Sequence, residues 1–187
     1  MKTLKFSLSN DKLKHIKEWS DIENPKVYSF SLLSGYSCPS AKDCHAYTRV
    51  NKVTGKKTLQ DGKHAKFRCF SARDEARLPS VYNQRKHNFD ALLGIKDDYI
   101  DIAILIQESL PKNANFIRVH VGGDFFTKAY MQAWYLVAEK NPNIIFYAYT
   151  KSIKWMSELE YLRPDNFRIT ASYGGKEDAI IDELNLK

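Results

Sequence analysis

Three cysteines stand in the 187-residue sequence, and two of them share one stretch, SLLSGYSCPSAKDCHAY (residues 31–47). Cys38 and Cys44 lie in that Gly- and Pro-marked stretch, and Cys69 follows in KFRCFSARDEA, a C-x5-C-x24-C spacing. An odd count argues against a closed disulfide framework. In a reducing compartment, grouped cysteines are metal ligands or catalytic groups more often than bridges. An isolated cysteine is usually a small buried apolar side chain, but two in one polar loop fit that description poorly. Three thiolates can hold three irons of a [4Fe-4S] cluster and leave the fourth open for another ligand. Zinc is the alternative. It prefers four ligands, and the fourth would come from His64 or His45. His64 is the better candidate, because His45 directly follows Cys44 and chelation by both neighbours is strained. Zinc loops more often use C-x2-4-C spacing, which counts modestly against this alternative.

Other chemistry-bearing residues recur after apolar runs. Gly122-Gly123-Asp124 follows FIRVHV, Thr150-Lys151-Ser152 follows IIFYAY, and Ser172 with Gly174-Gly175 follows FRITA. A Gly-Gly pair lets a backbone approach a bound group without Cβ clashes. Asp124 can accept from an ammonium, Ser172 can donate to a ribose or carboxylate, and Lys151, Arg68 and Arg73 can pair with a carboxylate or phosphate. Each has a plainer reading. A Gly-Gly-Asp turn that caps a helix over 127–140 would look the same. Ser172 and Lys151 are ordinary polar residues more often than ligands. His120 alternates with Val119 and Val121, which places it on the opposite face of a strand; a satisfied core histidine is favoured there over a ligand-facing one. Tyr47, Tyr147 and Tyr149 are read as packing residues.

The elements that must position these groups follow from periodicity. LSNDKLKHIKEWSDIENP predicts a short amphipathic helix over about 10–20, with Ser9 or Asn10 as N-cap and Leu13, Ile16 and Trp19 on one face. Lys26 to Leu33 reads as a strand, and NKVTGKKTLQDGK as a polar hairpin or excursion around Gly55 and Gly62. Helices start near Ser71 and at Pro79, the second running to Leu93 with Gly94 as its stop. DDYIDIAILIQESLP is a helix with Asp97 at its start, apolar nearly all round and so expected to be largely buried. Ile117, Val119 and Val121 form a strand that halts at Gly122. TKAYMQAWYLVAEKNP places Tyr130, Ala133, Trp134, Val137 and Ala138 on one helical stripe. IIFYAYTKS is a buried strand, WMSELEYL a short helix, and FRITASYGG a fourth strand. This alternation implies parallel strands joined by right-handed helical crossovers. The expected fold is α/β: a partial (half) βα barrel, or an open mostly parallel sheet of about four strands with flanking helices, in one domain over 1–187. The basic cysteine-containing segment, about 38–72, is an insertion in it. All the groups above would then share the C-terminal edge of the sheet, where functional groups collect in such folds.

Composition limits the rest. Hydrophobic residues make up 43% and charged residues 27%, ordinary globular values. No apolar h-region opens the chain and no stretch spans a bilayer, so a soluble, cytoplasmic protein without a membrane partner is expected. The net charge of +7 is uneven. Lys42 to Lys86 holds twelve Lys/Arg and four Asp/Glu, a net of +8, and the remainder nets −1. Such an excess suits nucleic acid or a phosphorylated ligand, although a solvated lysine-rich face has the same composition.

SLLSGYSCPSAKDCHAY, FRCFSARDEA, IRVHVGGDFF and IIFYAYTKS together resemble the phage-associated gene product 88 family, from about Val27 to Gly175. That family is similar in outline to radical S-adenosylmethionine enzymes. The resemblance implies that Cys38, Cys44 and Cys69 hold a [4Fe-4S] cluster. It implies that Gly122, Gly123 and Asp124 face the methionine moiety of S-adenosylmethionine and Ser172 its carboxylate or ribose, with Lys151 beside them. Phage encoding would place the protein in the cytoplasm of a bacterial host. The chain departs from the radical-enzyme pattern in three ways. Cys69 is far from Cys44, where C-x3-C-x2-C is usual; Asp124 stands where Glu is usual; and the chain ends soon after the fourth strand, without the cysteine-rich tail of some relatives. The leading reading is therefore an iron–sulfur protein with a partial barrel acting on a nucleotide or nucleic acid, with a partner able to complete the barrel. The alternatives are a structural zinc module that binds nucleic acid and a metal-free nucleic-acid-binding protein.

Overall fold

The β-branched and aromatic runs become strands, and the stripes of period 3.6 pack helices against them. The computed structural model describes residues 3–8 and 22–186. The helix expected over about 10–20 lies outside the described residues. Strand β1 (Ser7–Leu8) is followed by β2 (Val27–Phe30), β3 (Ala46–Val50) and β4 (Lys57–Asp61). Helices α1 (Phe70–Arg77), α2 (Pro79–Leu93) and α3 (Tyr99–Ser109) lead to β5 (Phe116–Val119). Then come α4 (Lys128–Lys140), β6 (Ile145–Thr150), α5 (Ile153–Glu158), β7 (Phe167–Ala171) and α6 (Asp178–Glu183).

The main sheet has the order β1-β2-β5-β6-β7. β2/β5, β5/β6 and β6/β7 are parallel, with Val27, Phe116 and Ile145 in one register row. The sheet has five strands rather than four, because β1 adds an antiparallel edge through Ser7↔Ser29 and Leu8↔Tyr28. β1 escapes a sequence reading because two residues carry no period. The hairpin around Gly55 forms a separate two-stranded sheet, β3–β4. α6 was not anticipated.

The larger core cluster lies on one face of the sheet, and Val27, Phe116 and Tyr147 form a smaller one on the other. Phe30, Ile117, Val119, Phe146 and Phe167 meet Tyr130, Ala133, Trp134, Val137 and Ala138 of α4 and Ile102 and Ile106 of α3. The stripe expected on α4 is buried in full. Thr127 caps this helix by accepting from the Tyr130 amide, so Asp124 is not its cap. Asp98, not Asp97, caps α3 by accepting from the amides of Ile100 and Asp101. α3 is less buried than its composition suggests, since Ile100 and Ile104 are 43% and 49% exposed. The strand at β5 stops at Val119 rather than running to Val121. His120 takes a φ of 74°, a left-handed conformation uncommon outside glycine. The amides of His120 and Val121 both donate to the Phe30 carbonyl, at 3.1 and 3.2 Å.

Candidate functional site

The segment after β2 crosses the C-terminal edge of the sheet and is tied down at the far side. The amides of Lys42 and Asp43 donate to the Gly174 carbonyl, and the Lys176 amide donates to the Ser40 carbonyl at 2.8 Å. The Leu32 amide donates to Gly122 O at 2.8 Å and the Asp124 amide to Ser37 O at 3.1 Å. The cysteine loop is thus stitched to the residues after β5 and β7. Glycine is needed where it bends. Gly35 has φ 79°, and a Cβ there would press on Tyr47 and the Ala46 backbone.

Beneath that loop is a cavity of about 140 Å³. Cys38, Cys44 and Cys69 all line it, with Gly122, Gly123, Asp124, Lys151 and Ser172. Five segments that are distant in sequence, around 34–44, 69–71, 121–124, 149–151 and Ser172, therefore build its wall. Cys69 is the N-cap of α1, which has no side-chain cap. The positive end of that helix opens on the cavity and favours negative charge there. The Gly35 amide donates to the Cys38 sulfur at 3.3 Å. Burial pushes the Cys38 thiol well above its usual range, with the Asp124 charge adding to the effect. Burial also raises Cys44, against a lowering by Lys151. Both thiols are therefore neutral near pH 7 in the free protein. That is a poor state for a nucleophile, whereas a bound metal deprotonates its thiols outright.

The polar residues of the cavity are held by one another. Asp124 is buried, and both its oxygens are engaged. Oδ1 accepts from the Phe125 amide (2.8 Å) and Thr150 Oγ1 (2.6 Å), and Oδ2 from the Lys151 amide (2.8 Å). It clamps the end of β5 to the end of β6. Burial raises its carboxyl to about 6 despite these bonds. Lys151 Nζ donates to Ser172 Oγ at 2.9 Å and to the Tyr173 carbonyl, which leaves the Ser172 hydroxyl hydrogen to donate. Gly122 and Gly123 make close approaches within the chain. A Cβ on Gly122 would meet Ser71 and Arg85, and one on Gly123 (φ 85°) would meet Ser37 and Leu32.

His64 lies elsewhere. It lines a second groove with His45, Lys42 and Lys63, whereas the three cysteines line the first cavity. Arg68 is held by Asp61 through Nε and Nη2, the shortest contact being 2.6 Å. Arg73 is exposed. His120 is a buried core residue. Its Nε2 lies 3.0 Å from the Tyr130 hydroxyl, while its buried Nδ1 has no hydrogen-bond partner among the described residues. Tyr147 is buried, but Tyr149 is 51% exposed and lines the cysteine cavity, so it is not a packing residue. The Arg118 guanidinium sits 5.8 Å from the centre of its ring.

Sequence reasoning missed the buried network that supports this cavity. Glu75 and Arg85 pair at 2.8 Å, both almost fully buried. Glu75 Oε1 also accepts from the Ser34 amide and hydroxyl, and Arg85 donates to Ser71 Oγ at 2.6 Å. Ser34 and Ser71 line the cavity. The only sequence signal was a Glu in a helix otherwise fit for the surface, which is too common to interpret. Among the described residues, no group of three or more His, Cys, Asp or Glu side chains is arranged to hold a metal ion.

The fold and site define an α/β protein with a mostly parallel sheet and a three-thiol cavity at the C-terminal ends of its strands. Its sequence identifies the family: the chain belongs to the Gene product 88 family, whose model matches residues 3–187. It is similar to the Gene 88 protein of Mycobacterium phage L5, 28% identical over 110 residues. That match covers 54% of this chain and 45% of the phage L5 protein. No solved structure matches the chain. Among the described residues no helix is long and apolar enough to cross a membrane.

Proposed function

We propose that the protein is an iron–sulfur protein in which Cys38, Cys44 and Cys69 hold a [4Fe-4S] cluster, and that it acts on a nucleotide or nucleic acid with S-adenosylmethionine as a co-ligand. The observation that carries this reading is the meeting of all three cysteines on one cavity. A tetrahedral zinc ion draws its sulfur ligands to about 3.8 Å of one another, from Zn–S bonds of about 2.3 Å. Zinc would also need a fourth ligand, and His64 lines another groove than the three cysteines. A cluster attaches each thiolate to a different iron and suits more widely set ligands. The N-terminus of α1 and Lys151 favour the negative charge of three thiolates. A cluster held by Cys38, Cys44 and Cys69 would supply one electron at a time.

The cavity, at about 140 Å³, is well below the roughly 300–1,000 Å³ that encloses a drug-sized molecule. It suits a compact inorganic group, with any organic ligand extending out past Tyr149, Lys151 and Ser172. Asp124 supports that mouth by fixing Lys151 and Thr150 rather than by offering an idle carboxylate. The protein's part is to bind, orient and exclude water. Protein purified without oxygen and reconstituted with iron and sulfide should be brown and contain both, with little zinc. Cys38→Ala, Cys44→Ala and Cys69→Ala should each abolish the absorbance. A colourless protein with one zinc per chain would replace the cluster with a zinc site, and an unchanged metal content in Cys69→Ala would remove Cys69 from the ligand set.

A further inference from the structure

Outside the cysteine cavity, a basic groove of about 660 Å³ lies between the cysteine loop and the β3–β4 hairpin. Lys42, Lys63 and Lys176 line it with His45 and His64. Its one acid, Asp61, is neutralised by the two-pronged contact from Arg68. The cations themselves are exposed at Lys42, Lys63 and Lys176. Charge alone would describe a solvated face. A second feature sets this groove apart. Tyr47 lines it and begins a short aromatic row, packed edge-on to Tyr36 at 5.4 Å and tilted against His45 at 6.2 Å. Tyr36 is 49% exposed. Its hydroxyl donates to the Thr48 carbonyl, so one edge of the ring is anchored while much of it meets water. Tyr47 and His45, both half-buried, line the groove and Tyr36 extends the row beyond it; aromatic rings next to a basic channel are the combination by which proteins hold unpaired bases and their phosphates. Paired bases offer no ring faces to such a row. Ala41 lines both this groove and the cysteine cavity, so a strand lying in the groove would pass the cavity wall.

We infer that this groove binds single-stranded nucleic acid, with Lys42, Lys63 and Lys176 on phosphates and Tyr36 and Tyr47 under the bases. The inference names the substrate class of the reading above and rests on that reading only for the chemistry at the cavity; binding is measured apart from it. The test is fluorescence anisotropy with a labelled oligo-dT of roughly 20 nucleotides, a duplex of equal length and dTMP as competitor. Oligo-dT should bind about tenfold or more tighter than the duplex at low salt. The slope of log affinity against log salt should be about −2, from three phosphates at about −0.7 each on a single strand. Lys42→Glu with Lys63→Glu should weaken binding at least about tenfold and flatten that slope. Tyr36→Ala should weaken it about tenfold, and Tyr36→Phe, which keeps the ring, should not. Absent binding at low salt overturns the inference. So does a preference for duplex, dTMP competing as well as the oligomer, or a charge-reversed variant that binds like wild type. The series is run before and after iron reconstitution. Binding in both states by a protein that takes up no iron leaves the groove standing and sinks only the cluster.

Discussion

At the scale of single residues, two buried titratable groups near the site pull stability in opposite directions. His120 is desolvated, and burial lowers it to about 3. A base whose folded value lies below its unfolded value of about 6.5 contributes stability above that value, and the contribution is lost as pH falls toward 3. Asp124 is an acid raised by burial to about 6. The folded state then holds its proton more tightly than the unfolded state, so stability falls as pH rises from about 4 to 6. Between pH 7 and pH 4, His120 costs about 3 kcal/mol and Asp124 returns about 2 kcal/mol, at 1.36 kcal/mol per pKa unit. The pair nearly offsets in the wild type. His120→Asn, which tolerates the left-handed backbone, should gain about 3 kcal/mol relative to wild type on acidification from pH 7 to 4. Asp124→Asn should lose about 2 kcal/mol relative to wild type over the same range. Urea melts of the metal-free protein across that range check both signs. Parallel curves for all three proteins would show that neither group titrates as its burial implies.

At the scale of elements, α1 and α2 hold the cysteine loop through one buried ion pair. Glu75 on α1 and Arg85 on α2 meet at 2.8 Å, and Ser34, four residues before Cys38, hangs from the same carboxylate. Removing one partner of such a pair strands a buried charge, at about 3–5 kcal/mol. Glu75→Ala should therefore destabilise the protein by that amount and loosen the floor of the cavity beneath Ser34 and Ser71. The double variant Glu75→Leu with Arg85→Met removes both charges and should recover most of the loss, because apolar replacements of similar volume often match a buried pair. Chemical denaturation of the three proteins decides it. Additive losses in the double variant would mean that the two residues do not act as a pair.

At the scale of the whole molecule, the three cysteines proposed as metal ligands lie on two segments that the sheet alone does not join. Cys38 and Cys44 are on the loop after β2, and Cys69 is at the start of α1 beyond the β3–β4 hairpin. A group bound to all three ties these together and binds the folded state only. A ligand at about 100 times its dissociation constant adds about 2.7 kcal/mol. For a chain of this size 1 kcal/mol raises Tm by roughly 2–4 °C. Reconstitution should therefore raise Tm by roughly 5–10 °C, and oxidative removal of the cluster should return it to the starting value. Calorimetry of the two states is the measurement, and equal Tm values would mean that the hairpin and loop are positioned without help from the cysteines.

What could be read directly from the sequence was local and periodic. The apolar stripe of α4, Pro79 at the first position of α2, the β-branched runs of β5 to β7 and the turn at Gly55 each follow from a repeat or a backbone preference within a few residues. The alternation of those elements implied a parallel sheet, and the parallel sheet implied that Cys38, Asp124, Lys151 and Ser172 would gather at one edge. The structure places all four on a single cavity. The rest depended on contacts across long separations, which no local pattern encodes. Asp124 looked like a helix cap or a ligand group. It is a clamp because Thr150 and the Lys151 amide, on the next strand, reach its oxygens. The Gly122-Gly123 pair looked like space for a ligand, and Ser71, Arg85 and Ser37 occupy that space. His120 was expected inside a strand, but its positive φ ends β5 two residues early. Glu75 and Arg85 were indistinguishable from surface charges until α1 and α2 folded onto Ser34. Only tertiary packing settles which polar residues face one another and which face the cavity, because a buried polar group takes its role from the partners that burial supplies.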